Sequence, residues 1–379
     1  MMKRLSVLLR RLFRKLHLWV GVAVAIPFLV ITISGCLLGF GPEIDRALHP
    51  ALFPAPAIGS NTTISAQTIL DQARTQSGPP VMSLQPPTSD HTSWIIAQGS
   101  GKGHSMGVQW ETFLDPTDGH MLGRRITDDD FVRLLHRIHN AFLLEDGRQW
   151  VGIVGLIMAG MIVTGLILLL PPPQGWKRVF IPRSGTRGTR WLLDWHSALS
   201  LWFLPLILVV TLTGITMEFP QTSRALVGEN GGGHGMMMRS AILPPEQPFA
   251  ITADMALEIA RASHPDREVI SLTPAGQGRP NWSITLRPLN GGWQGRSMTM
   301  VDAETGMWHD MPPTSITGLY FSQQHGLHGG AVLGFWGRMV IFTSGLTLLY
   351  LSVSGIVVWY RKRSASPKIV LSSLSAKEC

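Results

Sequence analysis

Four histidines occupy repeated positions in the sequence, and they are His17, His196, His139 and His328. The first two each begin a long uncharged run, and the other two each precede one. Neutral imidazole is an axial ligand of haem iron, and two imidazoles from neighbouring helices can hold a haem that transfers electrons. One pair at each end of a helical bundle therefore predicts two bis-histidine haem b groups. The sequence contains no Cys-x-x-Cys-His motif, so covalent haem attachment is excluded.

The second pair belongs to two histidine doublets. His136 lies three residues before His139, and His325 lies three residues before His328. Residues three apart share a helical face, so either member of each doublet could bind iron. The spacing to the following Gly-Arg favours His139 and His328, and it leaves His136 and His325 as alternative ligands or supporting groups.

Basic side chains lie near both predicted haem positions. Arg14 and Lys15 precede the inner pair, and Arg148 and Arg338 follow the outer pair. A guanidinium can hold a haem propionate through charge-assisted hydrogen bonds, which makes these arginines candidate propionate contacts. A lone histidine at a helix end is more often a polar anchor at the membrane surface, but four at repeated positions favour iron ligation.

Four stretches without Asp, Glu, Lys or Arg could cross a lipid bilayer, and they are residues 16–42, 149–176, 195–217 and 339–360. A transmembrane helix needs roughly 20 mostly apolar residues, and each stretch provides them. Only 15% of the residues are charged, whereas ordinary globular domains have about 25%. The composition therefore predicts a membrane protein.

The basic residues predict its orientation. Residues 1–15, 171–194 and 361–379 hold half of the 32 basic residues and only two of the 24 acidic ones. Positively charged loops stay in the cytoplasm, so both termini and the short middle loop are predicted to be cytoplasmic. The remainder of the chain is acidic, so the net charge of +8 reflects topology and does not support nucleic-acid binding.

The chain repeats one unit, which consists of a helix, an outer segment and a second helix. The outer segments align at the helix caps Ser65 and Thr252 and at the turns 115–119 and 302–306. Each outer segment predicts one helix followed by three strands. The predicted fold is a membrane α-helical protein, with a four-helix transmembrane bundle built as a tandem repeat and two outer α+β modules.

The first half of the predicted organisation consists of a cytoplasmic segment at 1–15, a transmembrane helix at 16–42, an outer module at 43–135, and a histidine doublet with the second helix at 136–170. A cytoplasmic loop at 171–194 leads to the second half. That half consists of a third helix at 195–219, an outer module at 220–322, a histidine doublet with the fourth helix at 323–360, and a cytoplasmic tail at 361–379.

Several motifs resemble a known family, the PepSY-associated transmembrane helix family. They are Arg14-Lys-Leu-His-Leu-Trp-Val-Gly21, Leu193-Asp-Trp-His-Ser197, Ile138-His139 followed by Gly147-Arg148, and Leu327-His-Gly-Gly330. The outer segments resemble PepSY modules, and the resemblance covers nearly the whole chain. It implies a bacterial inner-membrane protein with periplasmic modules. It also implies a dihaem oxidoreductase that reduces ferric siderophore iron during iron uptake, with His17 paired to His196 and His139 paired to His328.

The sequence leaves the electron donor and one alternative function open. No nucleotide or flavin fingerprint occurs, and the cytoplasmic loop is too short for such a domain, so the donor is a membrane quinol or a separate reductase. The alternative is a PepSY-based membrane protein that binds or regulates a partner without redox activity. The segment 231–238 contains soft ligands suited to copper, but its glycines favour a flexible loop.

Overall fold

The protein combines long apolar helices with one antiparallel sheet. The computed structural model describes residues 2–54, 64–75, 78–88, 91–99, 108–170, 175, 177–229, 247–289, 296–311 and 315–364. The segment 231–238 lies outside the described residues.

The described helices are α1 (Met2–Leu38), α2 (Gly41–Leu48), α3 (Ala66–Thr75), α4 (Phe131–Ala141), α5 (Gly147–Leu169), α6 (Lys177–Phe180), α7 (Gly188–Trp202), α8 (Leu204–Glu218), α9 (Pro220–Leu226), α10 (Ala253–Ser263), α11 (Ile316–Gly329) and α12 (Gly334–Ser364). The described strands are β1 (Val81–Gln85), β2 (Trp94–Gly99), β3 (Val108–Leu114), β4 (Met121–Ile126), β5 (Arg267–Thr273), β6 (Asn281–Pro288), β7 (Ser297–Asp302) and β8 (Trp308–Asp310). Short 3-10 helices cover Pro50–Leu52, Thr127–Asp129 and Ala331–Leu333.

Three or four apolar helices in the described chain are long enough to cross a membrane. The three continuous spans are Leu8–Leu38, Gly147–Leu169 and Ala331–Ser364. The fourth exists only if α7 and α8 count as one span, because they meet at a bend of 68°. Pro205 lies in the first turn of α8 and lacks the N–H that a continuous helix would use. The matching Pro27 lies inside α1, which stays unbroken.

The apolar helices pack in pairs whose members are far apart in the sequence. α1 contacts α5 and α12, α5 contacts α8, and α7 contacts α12. A Cβ atom added to Gly345 would clash with Sγ of Cys36, so α1 and α12 approach closely at this glycine. α1 begins at Met2, inside the segment predicted as a cytoplasmic extension, because Lys, Arg and Leu are good helix formers.

Each outer segment forms four antiparallel strands, and β1 and β5 join the two sets into one sheet. Its strand order is β4-β3-β2-β1-β5-β6-β7-β8, and every neighbouring pair is antiparallel. Each segment provides four strands, one more than predicted. The added strand forms because the turns ending at Gly119 and Gly306, with φ of 76° and 72°, reverse the chain so that it pairs again.

A shared apolar core holds the two halves of the sheet together. Leu84 of β1 lies opposite Leu272 of β5, and both side chains are fully buried. Burial of a leucine contributes about 1.5–3 kcal/mol to stability. α3 and α10 pack beside each other on this core. Their predicted caps are confirmed, since the Ser65 and Thr252 hydroxyls accept hydrogen bonds from the Thr68 and Met255 backbone N–H groups.

An ion-pair cluster fixes the first half of the sheet to α2 and to the start of α4. Arg125 of β4 lies 2.7 Å from Asp45 of α2, 3.0 Å from Asp130 before α4, and 2.8 Å from Glu111 of β3. Burial alone would lower the pKa of Arg125, but the hydrogen bond to Asp45 and the neighbouring carboxylates raise it above its usual range. The guanidinium therefore stays charged and holds α4 in a fixed position.

Candidate functional site

The imidazole rings of the predicted outer pair lie next to each other. Their centroids are 6.0 Å apart, and the planes of His139 and His328 are inclined by 58°. His139 lies on α4, which packs against α1, and His328 lies on α11, which packs against α8. Metal bonds to imidazole nitrogen are about 2 Å long, so two rings at about this spacing could both reach one metal ion between them. The observed spacing fits this arrangement.

The inner pair joins α1 to α7. His17 and His196 are close enough for their charges to interact. Nδ1 of His17 lies 2.9 Å from Oγ1 of Thr164 on α5, and Nδ1 of His196 lies 2.9 Å from Oγ of Ser354 on α12. Each ring is therefore held by a second membrane helix of its own half of the chain.

The same local arrangement holds all four rings. In the outer pair, Nδ1 of His328 lies 2.9 Å from Oγ1 of Thr213, and Nδ1 of His139 lies 3.4 Å from Oγ of Ser34. Every ring also forms a hydrogen bond with the backbone carbonyl three residues before its hydroxyl partner. For His17, His139, His196 and His328 these carbonyls belong to Met161, Ile31, Leu351 and Val210. Each ring thus has a hydroxyl at Nδ1, and in His139 the carbonyl of Ile31 also lies 2.9 Å from Nδ1.

These hydrogen bonds determine which nitrogen carries the proton. A hydroxyl has one hydrogen, and each of these hydroxyls donates it to a carbonyl of its own helix. The bonds run from Ser34 to Val30, from Thr164 to Met161, from Thr213 to Val209 and from Ser354 to Leu351. The oxygen of a hydroxyl that has donated its hydrogen can only accept, so we infer that Nδ1 of each ring donates to it. A neutral ring protonated at Nδ1 has a free lone pair at Nε2, which is the state that binds a metal.

A glycine follows every one of these hydroxyls, at Gly35, Gly165, Gly214 and Gly355. A Cβ atom on Gly35 would lie 2.7 Å from Cε1 of His139. On Gly165 or Gly214 it would lie 3.3 Å from Cε1 of His17 or His328. A larger residue would therefore displace the ring at three of the four positions, whereas Gly355 has open space around it.

The first histidine of each doublet takes a different position. His136 and His325 are exposed, and they lie close enough to each other for their charges to interact. The guanidinium of Arg148 is also close enough to both rings for its charge to interact with theirs. The structure therefore brings the second members of the doublets together as a ring pair and leaves the first members at the surface.

A comparison with protein families matches the chain to the model of the PepSY-associated TM region over residues 14–362. The chain belongs to the PepSY-associated transmembrane family. The resemblance predicted from the sequence motifs is thereby confirmed. The matched region of this PepSY-associated transmembrane protein includes all four paired histidines, and membrane contact with lipid follows from the family and the apolar helices. No curated protein matched the chain.

Two of the predicted propionate contacts already bind helix ends in this PepSY-associated transmembrane protein. Arg148 lies 3.0 Å from Oε2 of Glu218 and donates to the Met217 carbonyl over 2.8 Å, at the end of α8. Arg338 donates to Glu43 over 2.8 Å and to the carbonyl of Gly39 over 3.3 Å, beyond the end of α1. A guanidinium has five N–H donors, so each can also bind a propionate. Arg14 and Lys15 are exposed on α1.

The hydroxyl before each of these four glycines was not predicted from the sequence. The recurring signal is a Ser-Gly or Thr-Gly pair in each apolar span of this family member. A hydroxyl within a membrane helix needs a partner, and its repetition beside a repeat-defining glycine could have identified it as a contact of the histidines.

Proposed function

We propose that this protein carries electrons across the bacterial inner membrane through two haem b groups and reduces ferric siderophore iron in the periplasm. The observation that supports the proposal is the set of four imidazoles, arranged in two pairs and each in contact with a serine or threonine hydroxyl at Nδ1. His17 with His196 would hold the inner haem, and His139 with His328 would hold the outer haem. A bound haem supplies one-electron transfer.

The side chains around each pair prepare the imidazoles for this role. The hydroxyl at Nδ1 fixes the tautomer and the ring orientation, as supporting groups commonly do at metal sites. The apolar residues of α1, α5, α8 and α12 make the region between the pairs hydrophobic. Imidazoles held in place before the cofactor binds lose little conformational entropy when it does.

The arrangement of the extramembrane parts supports outward transfer. The sheet connects through α4 and α11 to the outer pair, whereas the described part of the middle loop contains only the short helix α6. We infer that the two termini and this loop are cytoplasmic and the sheet is periplasmic. The bulk needed to dock a siderophore is then on the outer side, and the donor is a membrane quinol or a separate reductase. One electron converts chelated ferric iron to ferrous iron, which hard oxygen ligands hold less firmly.

The alternative is a binding or regulatory membrane protein that uses its sheet to contact a partner. The continuous eight-stranded sheet is compatible with that role. A binding scaffold has no need for matched imidazoles at two levels of a helical assembly, so the electron-transfer function is favoured.

We expect the purified protein to contain two low-spin b-type haems per chain, because four imidazoles with free Nε2 atoms form two pairs. A reduced-minus-oxidised spectrum and a haem count per chain are the measurements. His120→Ala is the matched control, since this histidine lies in an exposed turn of the sheet, and it should retain both haems. Absence of haem after expression with an adequate haem supply would favour the binding scaffold.

Thr213→Val should weaken haem binding at the outer pair about 10- to 100-fold, the usual effect of removing a supporting partner at a metal site. The substitution keeps the side-chain shape but removes the acceptor 2.9 Å from Nδ1 of His328. Haem titration and the midpoint potential of the outer haem are the measurements, and Thr213→Ser should restore both. Thr343→Val removes an exposed hydroxyl of α12 and is the control. Equal effects of the two valine variants would contradict the positioning role.

A further inference from the structure

The edge hairpin of the sheet has an unusual composition on one face. β7 pairs with β8 so that Met300 lies opposite His309. The pairing continues beyond both ends of β8, because the Met311 N–H donates to the Met298 carbonyl over 3.0 Å and the Asp302 N–H donates to the Met307 carbonyl over 2.8 Å. Met298 therefore lies opposite Met311, and Asp302 lies opposite Met307.

Strand alternation places these side chains together. Thr299 and Val301 are fully buried on the face that meets the apolar core, so their neighbours on β7 point to the opposite face. That opposite face carries four methionines and one histidine, which we name the soft-donor face: Met298, Met300, Met307, Met311 and His309. Side chains directly opposite in an antiparallel pair have Cβ atoms about 4.5–5.5 Å apart, so their terminal atoms can meet around one ion.

The soft-donor face is open to a ligand. His309 is exposed and Met307 is 73% exposed, while the other three methionines are half-buried. The imidazole of His309 has no hydrogen-bond partner among the described residues. Asp302 lies on the same face, and its Oδ1 accepts hydrogen bonds from the backbone N–H groups of Glu304 and Thr305 in the turn that follows.

The same face is used differently in the first half of the sheet. There the corresponding residues of β3 are Glu111 and Phe113, and both are buried. Glu111 pairs with Arg125, and Phe113 packs edge-on against Phe53 with ring centroids 5.4 Å apart. The repeat therefore does not require methionine at this position for folding. Partly exposed thioethers in the second half are better explained by ligand binding than by packing.

We propose that the soft-donor face binds one Cu(I) ion, with Met298, Met300 and His309 as the first ligands and Met311 within reach. Thioether sulfur is a soft ligand that selects Cu(I), and imidazole also binds copper. All of these donors are neutral, which suits a monovalent ion. The site needs no haem, so it is independent of the proposed electron transfer.

The test uses the full-length protein in detergent with Cu(I) supplied from its bicinchoninate complex. We expect the combined substitutions Met298→Leu and Met300→Leu to weaken Cu(I) binding by at least about 10- to 100-fold. Removal of a group that only supports a metal ligand has an effect of this size, and these substitutions remove two ligands. Leucine conserves the volume and apolar character of methionine, so the fold should be retained. The matched control is Met255→Leu, because Met255 is 42% exposed and lies on α10, in the same half of the chain but away from the soft-donor face.

Silver(I) provides a second readout, because it is diamagnetic and shares the preference for thioethers. Methyl resonances of methionines labelled with carbon-13 should shift at Met298 and Met300 and stay unchanged at Met255. His309→Ala, at an exposed position, should weaken binding without a folding defect. Unchanged Cu(I) affinity in these variants would overturn the proposal. Loss of binding only when Met236, Met237 and Met238 are replaced would also overturn it.

Discussion

Purified protein with His196→Ala will lose one of its two haems and keep the other, and His17→Ala will have the same effect. Both variants remove an imidazole from the inner pair, whereas His139→Ala and His328→Ala will remove only the outer haem. The physical reason is distance. His17 and Ile31, whose carbonyl binds His139, both lie on α1 and are separated by about 20 Å along its axis. Loss of one pair therefore leaves the hydrogen bonds of the other pair intact.

The measurement is the haem count per chain together with the redox titration of each variant. Each variant should show a single haem with one midpoint potential, and the potential that remains should differ between inner and outer variants. His136→Ala and His325→Ala are the matched controls, because these exposed rings lie one turn from the outer pair. They should keep two haems. Loss of both haems from every single variant, in folded protein, would contradict two independent sites.

Chemically reduced protein in nanodiscs will reoxidise when a ferric siderophore is added, and ferrous iron will accumulate in an external trap. His139→Ala should abolish this ferrous iron, because it removes a proposed ligand of the proposed outer haem. His120→Ala should leave the rate unchanged, since its side chain pairs only with Asp118 in an exposed turn among the described residues. The haem absorbance and the trapped ferrous iron are followed in the same sample.

Two outcomes of this assay would change the interpretation. Reoxidation by quinone but by none of the ferric chelates would identify a different electron carrier and leave the haem sites valid. Unchanged ferrous iron production in His139→Ala would mean that the outer haem is not the exit. Because haem content is measured separately, failure of the acceptor assignment can be distinguished from failure of the cofactor assignment.

The helical part of the fold could be predicted because its signals are local. Long charge-free runs, the caps at Ser65 and Thr252 and the repeated turns each depend on a few adjacent residues. The junction of β1 with β5 could not be predicted, since it joins strands far apart in the chain. The fourth strands were missed because Met121–Ile126 contains a glycine and two arginines, and Trp308–Asp310 has only three residues.

The proximity of His139 to His328 could be predicted from the repetition of the histidines, but the hydroxyls that contact the rings could not. A serine or threonine in a membrane helix normally bonds to its own backbone, as Thr164 and Thr213 also do here. Only the packing of α5 against α1 brings Thr164 to His17.

The antiparallel pairing of β1 with β5 joins equivalent strands of the two halves, so a local twofold rotation exchanges them. Parallel repeats of membrane helices are related by an axis along the membrane normal. Each histidine pair takes one ring from each half and therefore lies close to this axis. A half chain alone would have one imidazole at each level and no complete pair, so it could function only as a symmetric dimer. Because both halves belong to one chain, each first half always associates with one second half. The sequences of the two halves can then differ from each other.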